Sequence, residues 1–109
     1  MTSHSETLRR LNDVLRTTFQ GGRIMMTSGV QSLGETTIAT ALTQLRSFNS
    51  FDADNDPHGE HDFGSFEIAG HRFFWKIDYY TPDMQHGSED PADPELTLRV
   101  LTLMLAEEY

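Results

Sequence analysis

The sequence predicts an α+β fold: a small antiparallel sheet centred on an aromatic hairpin at about 64–80, with three helices at about 4–18, 35–48 and 94–107 packed against it. Three observations carry that expectation. Apolar residues recur at helical spacing through the first half of the chain, alternate with mostly polar ones before Tyr80, and crowd the C-terminus after an Asp-Pro-Glu string.

The first helix opens on Ser3 and Glu6, which have the spacing of a capping box, and continues through Leu8, Leu11, Leu15 and Phe19 with Arg9, Arg10, Asp13 and Arg16 between them. Gly21-Gly22 ends it. Arg23 to Thr27 is short, apolar and bounded by Gly29, as a buried strand would be. In the second helix Ile38, Ala41, Leu42, Leu45 and Phe48 form one stripe, opposite threonines, Gln44 and Arg46.

From Phe51 to Asp62 turn formers and acids follow one another without periodicity, so this stretch reads as a long loop. The hairpin comes next. Phe66 and Ile68 alternate with polar neighbours, Ala69-Gly70 marks the turn, and Phe73, Trp75, Ile77 and Tyr79 alternate with Phe74, Lys76, Asp78 and Tyr80. A second polar loop covers Thr81 to Asp93. Asp93-Pro94-Glu95 then supplies an N-cap, a proline suited to a first helical turn and an acid at the positive end, predicting a last helix that is apolar around most of its circumference. Such a helix belongs in a core or in a subunit interface, which makes a homodimer a further expectation.

With 109 residues, 37% of them hydrophobic, the chain suffices for one domain over 1–109 and is too short for two with cores of their own. The absence of cysteine excludes disulfides, thiolate zinc sites and a cysteine nucleophile. No apolar segment follows the charges of the N-terminus and no apolar run approaches the length of a membrane span, so the expected location is cytoplasmic.

The net charge of −9 is unevenly distributed. Between residues 52 and 95 twelve carboxylates face only Arg72 and Lys76, an excess of ten negative charges, while the remainder is nearly neutral. Such a field repels phosphate backbones and attracts cations or basic protein surfaces, which excludes direct nucleic-acid binding as an expectation. Ordinary solubility is the plainer account of the same charge.

The densest chemical cluster is Asp56-Pro57-His58-Gly59-Glu60-His61-Asp62. Imidazole and carboxylate are ligands for zinc or manganese, so His58, His61 and Asp62 form a candidate metal set with Glu60 as a base. A third ligand from His71 or His86 would be needed from elsewhere, and no HExxH helix exists; the alternative is a loop whose acids and histidines bond backbone and one another. The Asp52, Asp54, Asp56 spacing imitates a calcium loop only at its start, since Pro57 and Phe63 occupy the positions of its glycine and bidentate glutamate. No serine or threonine has the setting of an activated nucleophile, and the glycines form no phosphate loop. No catalytic residue and no cofactor are assigned.

The strings Asn55 to Gly64, Trp75 to Tyr80, Ser88 to Asp93 and Arg99 to Tyr109, with Leu11-Asn12-Asp13 and Gly22-Arg23 before them, resemble the hallmark segments of a small bacterial family known as domain of unknown function 3768. The family is typical of alphaproteobacterial genomes, plasmids and prophages, and the resemblance implies no catalytic activity. It extends to an anti-CRISPR protein acting on a type I Cascade complex, which implies a non-enzymatic inhibitor carried by mobile elements. On that reading Asp52, Asp54, Asp56, Glu60, Asp83, Glu89 and Asp90 imitate the phosphates of DNA and engage a basic DNA-binding surface of Cascade. The alternative is a metal-dependent hydrolase or nucleic-acid-processing accessory that uses the His58, Glu60, His61 and Asp62 loop.

Overall fold

A capping serine opens the chain's first helix, as its sequence predicts. Ser3 Oγ accepts the Glu6 amide at 3.1 Å, and α1 runs His4–Thr18 until Phe19 adopts a left-handed conformation with φ 61°. The computed structural model describes residues 3–109. After α1 come β1 (Arg23–Met26), α2 (Ser28–Gln31), α3 (Glu35–Ser47), β2 (Phe63–Ile68), β3 (His71–Tyr80), β4 (Leu98–Leu105) and a terminal 3-10 turn (Ala106–Glu108).

The four strands form one sheet in the order β1-β4-β3-β2. β2, β3 and β4 are antiparallel neighbours, while β1 joins the far side of β4 in parallel, so the sheet is mixed rather than wholly antiparallel. Ile68 pairs with His71, which leaves Ala69 and Gly70 as the two-residue turn, at φ 54° and 81°. Positive φ at both positions gives the turn whose twist matches that of a hairpin. The expected centre needs one adjustment: β3 is interior, but β2 is an edge.

The helix expected at about 94–107 is instead β4, in the middle of the sheet. Its apolar character on all sides arises because both faces of a central strand are covered. Leu101, Leu103 and Leu105 lie on the helix-bearing face, and Val100 and Met104 are also buried on the other. Asp93-Pro94-Glu95 closes a turn: Asp93 Oδ1 accepts the Glu95 amide at 2.9 Å and its carbonyl accepts the Leu96 amide. The local chemistry of an N-cap is present, yet the following residues find strand partners on both sides, and ladder pairing prevails over helical propensity. The reason for expecting a dimer through an apolar helix disappears with that helix.

Leu15 of α1, Val30 of α2, and Ala41 and Leu45 of α3 pack against Phe73, Trp75, Ile77, Leu101, Leu103 and Leu105 in one core. Burying rings such as Phe73 and Trp75 contributes roughly 1.5–3 kcal/mol each before the entropic cost of ordering them. Gly64, opposite Trp75 on β2, makes room for the indole, since a Cβ there would stand 2.5 Å from Trp75 Nε1 and 2.8 Å from Phe48 Cζ. The C-terminus is fastened by Glu108, whose carboxylate accepts Thr27 Oγ at 2.6 Å and the amides of Leu105 and Gly29. Among the described residues no helix is long and apolar enough to cross a membrane.

Candidate functional site

Arg9, Asn12, Asp13 and Arg16 recur every three or four residues and form a polar face of α1. Sequence spacing alone suggests solvent for Asp13 and Arg16, because they fall between the apolar positions. Instead this face receives the acidic loop. Arg9 donates to the carbonyl of Gly59 at 3.1 Å, and Asn12 Nδ2 donates to that of Glu60 at 3.0 Å. Arg16, only 4% exposed, donates to the carbonyls of Leu45 and Phe48 and to Asp13, and its guanidinium lies over the rings of Phe51 and Trp75. A cation at the carbonyl end of α3 is favourably placed against the helix dipole.

The loop also bonds to itself. Asp52 Oδ1 accepts the amides of Asp54 and Asn55. Asp56 is buried, and its Oδ1 accepts the amides of Glu60 at 3.0 Å and His61 at 3.1 Å. His61 stacks on Phe51 with ring centroids 3.7 Å apart. One ring nitrogen lies 2.8 Å from Asp13 Oδ1 and the other 3.5 Å from Asp56 Oδ2.

The second polar segment begins with a tight turn. Asp83 Oδ1 accepts the Thr81 hydroxyl and the Gln85 amide, which hold its carboxyl below the usual carboxylate range. Further on, Ser88 Oγ and Thr97 Oγ lie 2.7 Å apart, Thr97 donates to the Asp90 carbonyl, and Asp90 Oδ1 accepts the Ala92 amide. Arg99 of β4 then binds the segment from beneath, donating to the Pro91 carbonyl. Its other bond is the connection that matters: Arg99 Nε donates to Asn12 Oδ1 at 2.9 Å. The fully buried Asn12 and the nearly buried Arg99 therefore hold one carbonyl from each acidic segment, Glu60 and Pro91, and bring the two segments together.

Tyr79 closes this joint. Its hydroxyl accepts Asn12 Nδ2 at 2.8 Å and Arg99 lies over its ring. Burial pushes its pKa to about 12. Burial also raises the Asp62 carboxyl above its ordinary range, with further repulsion from Asp56 and Asp78, and lowers the Arg99 guanidinium below its own.

The seven acids proposed from sequence divide by role. Asp54 and Glu89 are exposed, Glu60 is half-buried, and none of these three carboxylates makes a hydrogen bond among the described residues. Asp52, Asp83 and Asp90 shape turns, the first two while exposed. Asp56 is interior and structural. The ion pairs among the described residues use Asp13, Asp56, Glu67 and Asp78, so the other six candidate carboxylates are not neutralised by a cation.

The candidate metal set is not assembled. Both ring nitrogens of His61 face carboxylates, His58 is exposed, and His71 pairs with Ile68 at the opposite end of β2. His86 lies in the other segment, where its carbonyl accepts the Thr81 amide. Among the described residues no three His, Asp or Glu side chains are grouped so as to hold an ion. Asn12, Arg16, Tyr79 and Arg99 are not among the site residues that the sequence points to. The one local signal was the polar stripe of α1.

Fold and site together define an α+β protein whose two acidic connections are fastened to a buried Asn–Arg–Tyr joint. The chain belongs to the family described as Protein of unknown function (DUF3768), whose model matches residues 26–108. That span takes in the acidic segments, the hairpin and Arg99, while Asn12 precedes it. No curated protein and no solved structure matches the chain.

Proposed function

We propose that the protein is a non-enzymatic acidic inhibitor that occupies a basic, DNA-binding surface of a nucleic-acid-binding complex, a type I Cascade in the reading the family resemblance suggests. The observation that carries the proposal is the convergence of two acidic segments on Asn12 and Arg99, with six of their carboxylates outside any ion pair among the described residues. Unneutralised carboxylates on fixed loops offer a basic partner charge at little ordering cost, and they accelerate its encounter. In this reading Asp54, Glu60 and Glu89 make the contacts, Asp52, Asp83 and Asp90 combine charge with turn formation, and Asp56 only supports the loop.

The test is the triple reversal Asp54→Lys, Glu60→Lys and Glu89→Lys, which avoids carboxylates that hold turns. The variant should keep its melting temperature, lose binding to purified Cascade and leave target-DNA capture uninhibited. Wild-type binding should weaken as salt is raised, chiefly through a slower on-rate. Undiminished inhibition by a folded triple variant would count against charge mimicry.

A further inference from the structure

The imidazole of His61 sits between two carboxylates from different elements, Asp13 of α1 and Asp56 of its own loop, 22% exposed and stacked flat on Phe51. Its backbone is in the left-handed region at φ 55°, where a residue with a side chain persists only if its surroundings hold it. A neutral imidazole carries one N–H, whereas the imidazolium carries two, so only the charged ring can donate toward both acids.

The two acids do not depend on that proton equally. Asp13 also accepts from Arg16, which remains charged throughout. Asp56 has a side chain only 5% exposed and no other cation against it among the described residues. Its Oδ1 is engaged by the amides of Glu60 and His61, leaving Oδ2 to face the ring. With the closer contact at Nδ1 kept by Asp13, loss of one proton turns the Nε2 lone pair toward a buried carboxylate. An unpaired buried charge is the costly arrangement.

We infer that His61 is a proton-operated latch: as imidazolium it fastens the acidic loop of residues 52–62 to α1, and as neutral imidazole it releases the Asp56 side of that loop. The other charged or titratable groups around it are Arg9 and Arg16 from α1, Glu60 and Asp62 from the loop, and Tyr79 from β3, joined through Asn12. Burial raises the Asp62 carboxyl toward the range in which imidazoles ordinarily change charge, and His58 is a second imidazole on the same loop, so His61 is followed by its own ring nitrogens. The latch is therefore firm on the acid side of the His61 titration and weak on the alkaline side. It holds whatever the loop binds.

The experiment is an imidazole ¹⁵N titration of the intact chain between about pH 5.5 and 8.5, combined with amide exchange corrected for the intrinsic effect of pH. As His61 loses its Nε2 proton, protection of the Glu60 and His61 amides should fall roughly two- to fivefold, the worth of one partly screened ion pair, while the Trp75 amide stays protected. His58→Gln should leave this behaviour in place. Asp56→Asn should reverse it, because an amide NH₂ donates to the neutral ring and repels the charged one. Protection of Glu60 and His61 that stays level through the His61 midpoint, or that follows the His58 midpoint, would overturn the latch.

Discussion

Arg99 donates through Nε to Asn12 Oδ1 at 2.9 Å, joining the central strand to the first helix across 87 residues of sequence. Asn12 uses both of its N–H groups and its oxygen in this fully buried position: Arg99 on the oxygen, the Glu60 carbonyl and the Tyr79 hydroxyl on the nitrogen. Asn12→Ala should therefore destabilise the protein by roughly 2–4 kcal/mol, since it leaves Arg99 Nε and two acceptors without their partner in a buried site. Urea unfolding provides the measurement. A loss below about 1 kcal/mol would mean that water replaces the amide and that the joint does not hold the loops.

Tyr79 extends the joint into alkaline pH. Its folded pKa is pushed up to about 12 by burial, against an ordinary value of 10.0. Between those values the unfolded chain has released the proton and the folded chain retains it, so the unfolded state binds fewer protons and stability falls as pH rises. Below the ordinary value the proton is bound in both states and the effect vanishes. Tyr79→Phe should remove this alkaline decline, and a spectrophotometric titration of the wild type should show one tyrosine ionising late. A Phe variant with the same decline would assign the effect to another group.

How much of this was legible in the sequence depended on whether a local pattern carried the information. The Ser3 cap with its Glu6 spacing and the alternation from Phe73 to Tyr80 are local, and α1 and the hairpin follow from them. Four-residue α2 is too short to show a period. β4 misled for a physical reason: with Val100 and Met104 buried on one face and Leu101, Leu103 and Leu105 on the other, its hydrophobicity loses the alternation that marks a half-exposed strand. The site divides in the same way. Turn-forming aspartates announce the two loops, but what unites them is a pair of residues at opposite ends of the chain, and no spacing rule connects Asn12 with Arg99.

Gly64 tests the packing under the hairpin. An added methyl would meet Trp75 Nε1 at 2.5 Å and Phe48 at 2.8 Å, both within the packed aromatic group that also includes Phe51. Gly64→Ala should cost about 1–3 kcal/mol through forced side-chain shifts. Trp75 is the only tryptophan, so its emission reports the displacement directly. Unchanged emission and stability would show that the indole has room to move.

The hairpin turn gives a prediction of opposite sign. Ala69 holds φ 54° immediately before Gly70 at 81°, and an L-residue with a β-carbon pays about 1 kcal/mol for that left-handed conformation. Asparagine tolerates it better, and Asn-Gly is the favoured pair for this two-residue turn. Ala69 is exposed, so the exchange disturbs no packing. Ala69→Asn should stabilise the protein by about 0.5–1 kcal/mol, raising Tm by roughly 2–8 °C. Ala69→Val, β-branched at the same angles, should lower it. If both variants melt with the wild type, the turn must relax out of the left-handed region at no cost, and the register from Ile68 to His71 would then be set by the strands alone.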